Sequence, residues 1–171
     1  IVHDLGCGAY CWADLVIAGL DNREARLSIN TNSLLAGKTW IDGAIEVLNG
    51  VARVFSPGEG ACYECTMSEV DWKMLEARRS CALLSRDQMM EGKVPTTPTM
   101  ASIIAGVQVQ EAVKHLHGMD TLKGQGFVLN GQSMDSYVVS YTRKKDCYAH
   151  NHYNKIEKLG CGVADMAVGE L

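Results

Sequence analysis

The sequence predicts an α/β domain with a mixed sheet, and three observations carry that prediction. A short apolar run is followed at once by a capped, helically periodic segment. Two pairs of strand-like segments each carry an Asn-Gly dipeptide, and each pair leads toward a short cysteine knuckle.

Residues 13–19 (ADLVIAG) form an apolar run with a turn-like end and read as a buried strand. Asp21 follows, and residues 22–36 place Ala25, Ile29, Leu34 and Leu35 at helical spacing. Asp21 or Asn22 supplies the N-cap and Gly37 the stop. This is half of a βαβ unit with a carboxylate at the carboxyl end of its strand. Residues 39–48 and 51–56 read as two strands joined by a tight turn at Asn49-Gly50. A turn over 57–60 delivers the chain into Cys62-Tyr-Glu-Cys65, and 68–77 reads as a short helix. Residues 78–98 lack periodicity and contain Gly92, Pro95 and Pro98, so they read as an extended loop. Residues 99–117 give the clearest helix, capped by Thr99, striped by Ile103, Val107, Val113 and Leu116, and stopped by Gly118. A second hairpin, 126–129 with 137–142, turns around Asn130-Gly131 and precedes Cys147-Tyr-Ala-His150.

At 171 residues the chain is long enough for one domain with its own core. A net charge of −4 gives no electrostatic reason to expect nucleic acid or an anionic membrane as partner. No apolar run reaches bilayer length and no basic-then-apolar leader opens the chain, so the expectation is a cytoplasmic protein. Ile1 is followed at once by sequence of mid-domain character, so the natural protein is expected to begin upstream. The tail from Lys155 ends without a cap, as a second truncation would. Seven cysteines cannot all pair within one chain, and their uneven spacing suits reduced thiols and a metal better than a disulfide framework.

Structural zinc takes four soft or borderline ligands in a tetrahedron, commonly as two knuckles. Cys62 and Cys65 alone fit two buried thiols or a redox pair equally well. The second knuckle, Cys147 with His150, shifts the balance to a metal. His152 competes as fourth ligand, and His150 is preferred because it matches the spacing of the first knuckle. A thioredoxin-like role is disfavoured because CYEC does not open a helix after a βαβ strand. Asp21 sits where ligands bind in open α/β sheets and can hold the magnesium of a nucleotide, although simple helix capping explains it by itself. Arg26 and Asn30 follow on one helix face. Gly6-Cys-Gly8 lacks a third glycine and leads into a strand, so it does not supply a dinucleotide loop.

In this order, ADLVIAGLDNREARLSIN, WIDGAIEVLNG, CYEC, SCALLSRD, PTTPTMASIIAGVQVQEAVK and the CxxH knuckle resemble the ubiquitin-activating (E1-like, ThiF–MoeB–HesA type) adenylating enzymes. The match runs from about residue 14 to residue 150, and the DN-x-x-x-R-x-x-x-N string and paired knuckles are its most specific parts. The resemblance implies the C-terminal portion of a Rossmann-like ATP-binding fold with a mixed sheet and a structural zinc site. Residues 1–171 then form a single domain lacking the upstream glycine-rich loop, and inactive alone.

The implied reaction uses ATP and magnesium to adenylate the C-terminal glycine of a ubiquitin-like or sulfur-carrier protein. Asp21 matches the family's magnesium-associated aspartate, and Arg26 and Asn30 match motif positions that are partly structural and are counted with Asp21 as cofactor-binding. Cys62, Cys65 and Cys147 match its zinc cysteines, with His150 in place of the commoner fourth cysteine. Cys81 falls where some members form a thioester with the carrier, and Arg78, Arg79 and Arg86 would favour its thiolate. A homodimer or heterodimer is implied as well. The competing reading is a catalytically inactive, zinc-stabilised partner subunit of the same fold, and a weaker one is a redox or metal-handling protein.

Overall fold

The computed structural model describes residues 2, 5–80 and 96–153, the side chains of 77–80 excepted. Its centre is a five-stranded mixed sheet in the order β1-β2-β3-β4-β5. Strand β1 (Val16–Gly19) pairs parallel with β2 (Trp40–Glu46), and β2, β3 (Asn49–Phe55), β4 (Gln125–Asn130) and β5 (Asp135–Ser140) pair antiparallel in turn. The expected mixed sheet is therefore present.

Helix α2 (Arg23–Ala36) forms as its caps dictate. Asn22 is the N-cap, its side chain accepting from the Ala25 N–H at 2.7 Å, and Gly37 ends the helix in the left-handed region at φ 65°. Ala25, Ile29 and Leu34 are buried beneath it, as their spacing requires. This face of the sheet carries Trp40 and Phe55, whose rings lie 4.9 Å apart with Tyr63 edge-on to both.

The opposite face is covered by α5 (Pro98–Leu116), which packs Met100, Ile104 and Ala112 onto Ala52, Leu129, Ile41 and Val54. Two expectations for this helix are corrected. Its cap is Thr97, not Thr99: Thr97 Oγ1 accepts from Met100 N and donates to Val47 O, and Pro98 takes the first turn, where its missing N–H costs nothing. The face is also different, although Val107 of the expected stripe does pack against the core. Ile103, Val113 and Leu116 point outward, 40%, 44% and 58% exposed, whereas Gln108 and Glu111 are buried. Both polar groups are satisfied. Gln108 Nε2 donates to Ala18 O and Ile41 O, and Glu111 accepts from Lys114 Nζ and Leu122 N.

Other boundaries shift for identifiable reasons. Residues 7–12 are not the approach to a strand but a short helix, α1 (Cys7–Trp12), with Gly6 as its N-cap. Strand β1 is not buried on both faces. Only Ala18 is fully covered and Ile17 is 48% exposed, and β1 has a described strand neighbour on one side alone. CYEC does open one helical turn, α3 (Tyr63–Thr66), although after an antiparallel strand. Helix α4 (Glu69–Ser80) continues past residue 77 into the stretch read as loop. Residues 81–95 of that loop lie outside the described residues.

The first hairpin turns at Val47-Leu48 rather than Asn49-Gly50, since Glu46 pairs with Asn49 and Ile45 with Gly50. Gly50 is a packing glycine: a Cβ there would overlap the Ile104 side chain and reach within 2.9 Å of Met100 Sδ. The second hairpin turns after Asn130, whose Oδ1 accepts from Gln132 N at 3.0 Å, as an Asx turn does. Gly50→Ala is expected to destabilise the fold by about 1–3 kcal/mol through overpacking, seen as a lower urea midpoint at unchanged slope. A midpoint equal to wild type would show that Ile104 yields without cost.

Candidate metal centre and strand-end carboxylate

Each knuckle is a short loop entering a helical turn. Cys62 is the N-cap residue of α3 and Cys147 that of α6 (Tyr148–His152), so in each case a second ligand follows one turn later. The structure brings Cys62, Cys65, Cys147 and His150 together, with all four ligand atoms within 4.8 Å of one another. Cys62 Sγ is 3.9 Å from Cys65 Sγ and 3.7 Å from Cys147 Sγ, and Cys65 Sγ is 3.7 Å from His150 Nδ1. Zinc–sulfur bonds of about 2.3 Å in a tetrahedron require S···S edges of about 3.8 Å, so the cluster can hold a zinc ion with little movement.

The electrostatics match. Cys65 is pulled down to about 4, first by the hydrogen bond it accepts from the Cys62 thiol, against burial and with help from the Lys144 N–H at 3.4 Å. That bond, with burial, pushes Cys62 up, and burial pushes Cys147 up. Burial lowers His150, favouring the neutral imidazole that a metal takes. A cation bound here would displace the protons that burial helps Cys62 and Cys147 to hold. His152 is not part of the cluster. Its ring stacks on Tyr148 at 3.8 Å and Nδ1 meets Tyr148 O at 2.9 Å.

The DN-x-x-x-R-x-x-x-N string divides between two places. Asp21 is exposed just beyond the carboxyl end of β1, with Oδ1 accepting from Asn22 Nδ2 at 2.9 Å. Arg26 is buried beneath it. Its guanidinium donates to Asp42 Oδ1 at 2.7 Å, to Gly43 O at 3.1 Å, to Asn22 O at 3.3 Å and to Leu20 O. Asn30, a turn further on, is fully buried and turns to the first knuckle, its Oδ1 accepting from Tyr63 N at 3.2 Å. The structure thus groups Asn30 with the cysteine–histidine cluster and Asp21 with Arg26. Cys81 and Arg86 lie outside the described residues.

Sequence reasoning missed Asp42, which is 0% exposed and shared by Arg26 and Arg53, with Arg53 Nε donating at 3.0 Å. The available signal was a carboxylate inside the apolar run WIDGAI. Among the described residues no helix is long and apolar enough to cross a membrane.

The chain is 26% identical over 147 residues to ubiquitin-like modifier-activating enzyme 5 of Xenopus laevis, covering 82% of this chain and 33% of that protein. The rat protein of the same name is 30% identical over 131 residues, covering 72% and 29%. The chain therefore spans about a third of the length of these relatives. Among solved structures, E. coli MccB superposes with a TM-score of 0.64 at 14% identity, covering 88% of this chain and 42% of that one. A heterocyclase in complex with substrate and cofactor gives 0.60 at 19%, covering 80% and 20%. At such identities the likeness is one of fold. The ThiF family model matches residues 10–149, most of the chain, including Cys62, Cys65 and Cys147, and on that match the chain belongs to the ThiF family of E1-like proteins.

Proposed function

We propose that residues 1–171 are the C-terminal part of one adenylating domain, which uses ATP to activate the C-terminal glycine of a ubiquitin-like or sulfur-carrier protein. The observation that carries this reading is Asp21: an exposed carboxylate at the carboxyl end of a parallel strand, immediately before a helix N-terminus. That is where open α/β sheets bind nucleotides. The names of the relatives support it, since the Xenopus and rat proteins matched in sequence are ubiquitin-like modifier-activating enzymes and one MccB structure holds ATP.

In the proposed reaction the carrier's terminal carboxylate attacks the α-phosphorus of ATP, forming an acyl-adenylate and expelling pyrophosphate. Magnesium, when bound, would neutralise charge on the phosphates. Asp21 would hold it, and Arg26 and Asn30 would support the elements on either side. Where a thioester follows, the Cys81 thiolate attacks the acyl-adenylate carbonyl and AMP leaves. Zinc at Cys62, Cys65, Cys147 and His150 has a structural role, because all four positions are protein ligands and the three thiols are buried. Dimerisation is part of the proposal, supported by the apolar side chains of Ile103, Val109, Val113 and Leu116 exposed along α5. A cytoplasmic location suits thiols that must stay reduced.

Three outcomes test this reading. The purified chain carries one zinc per molecule by elemental analysis, loses it in Cys147→Ser and keeps it in His152→Ala. In a full-length version, Asp21→Ala lowers ATP–pyrophosphate exchange by about 10²-fold or more; exchange that survives removes Asp21 from the reaction. A carrier adduct cleaved by thiol reductant forms in wild type and is absent in Cys81→Ala, while adenylation persists.

A further inference from the structure

The proposed magnesium carboxylate lies on a short loop between β1 and α2, and such a loop needs something beneath it to keep its geometry. Arg26 touches the main chain on both sides of Asp21. Its Nη2 donates to Leu20 O, the residue before, and its Nη1 to Asn22 O, the residue after, at 3.3 Å. The same guanidinium donates through Nε to Asp42 Oδ1 at 2.7 Å and through Nη2 to Gly43 O at 3.1 Å, which anchors it to β2. Asp42 and Arg26 are 0% and 7% exposed, so this is a fixed arrangement in the interior rather than a surface ion pair.

We propose that Arg26 and Asp42 are positioning residues that hold the Asp21 carboxylate in place for a divalent cation, acting through the peptide groups of Leu20 and Asn22. The proposal rests on the reading of Asp21 as the magnesium carboxylate. The geometry assigns Asp42 a part in it although Asp42 faces no solvent. Its Oδ1 fixes the guanidinium plane, and that plane sets where two carbonyls, and the carboxylate between them, lie. Asn22 completes the arrangement from above. Its Nδ2 donates to Asp21 Oδ1 at 2.9 Å while its Oδ1 caps α2. Arg53, the other partner of Asp42, bonds through Oδ2, and no bond joins it to the Asp21 loop. It serves as an internal control for simple loss of stability.

Lysine at position 26 keeps the charge beside Asp42 but cannot bridge two carbonyls and a carboxylate from one planar group. The experiment is a titration of Mn²⁺ into the full-length protein saturated with α,β-methylene ATP, free Mn²⁺ being read by electron paramagnetic resonance. Thermal unfolding of each variant is recorded beside it. Arg26→Lys and Asp42→Asn are expected to weaken Mn²⁺ binding by about tenfold, the usual effect of disturbing a residue that orients a ligand. Arg53→Met is expected to lower the unfolding temperature while weakening Mn²⁺ clearly less than Arg26→Lys does. Asn22→Ser keeps a capping oxygen but loses the amide donor, and is expected to weaken Mn²⁺ several-fold. It carries the test if a buried variant does not fold. Asp21→Asn separates the two ideas. Mn²⁺ binding that survives it overturns the magnesium reading itself. Mn²⁺ binding abolished by Asp21→Asn but unchanged in Arg26→Lys, or in Asn22→Ser where the buried variants fail, overturns the positioning role. Equal weakening by Arg26→Lys and Arg53→Met also overturns it, as general destabilisation.

Discussion

Asp42 is a carboxylate that no water reaches, and the arrangement of β1, β2, β3 and α2 follows from how it is neutralised. Taking such a charge out of water is costly unless it is paired and hydrogen-bonded, and here two guanidiniums share it. Arg53 comes from the facing residue of β3, in register with Asp42. Arg26 comes from α2, so that helix can occupy one height and one rotation above the sheet. Arg53 also stands over the rings of Tyr63 and Phe55, at 5.2 and 5.8 Å from their centroids. The charged centre and the aromatic core of this face are one packing unit.

The same helix reaches a second fixed point. Asn30 meets the main chain of the first knuckle, and that knuckle meets the second one across 85 residues of sequence. A metal at this point would tie the middle of the chain to its end and would give most where the loop closed is long. The Lys144 N–H on Cys65 and the Lys144 ammonium on Met67 O show that the chain already seats the two halves of the cluster against each other. Helix α2 therefore lies between a buried ion cluster under the strand end and a thiol cluster at the other end of the face. A shift in either would be felt at both.

On the opposite face the sheet and α5 approach closely because two strand positions have no side chain. Gly43 receives Gln108 and Gly50 receives Ile104. The amide of Gln108 then reaches carbonyls of both β1 and β2, which ties the parallel strand pair to the helix without adding a strand. The helix is apolar nearly all round, so its periodicity alone does not say which side is inward. What selects the buried side is the bonding of Gln108 to carbonyls of the sheet and of Glu111 to Lys114 and the Leu122 N–H, together with the space over the two glycines.

What the sequence determined by itself is local. The caps of α2, the stop at Gly118 and the two knuckles depend on residues within about four positions of each other, so their chemistry is readable in order. The tertiary structure decided the rest. That His150 rather than His152 joins the cluster depends on where the second knuckle meets Cys65, 85 residues away in sequence. That Asn30 serves a knuckle while Arg26 serves the strand end depends on where α2 lies over the sheet. That Gly50 packs rather than turns depends on Ile104, and the burial of Gln108 and Glu111 depends on carbonyl and N–H groups elsewhere in the fold. Side chains far apart in sequence acquire their roles only when the backbone brings their partners within hydrogen-bonding or van der Waals reach, and no local pattern encodes that meeting.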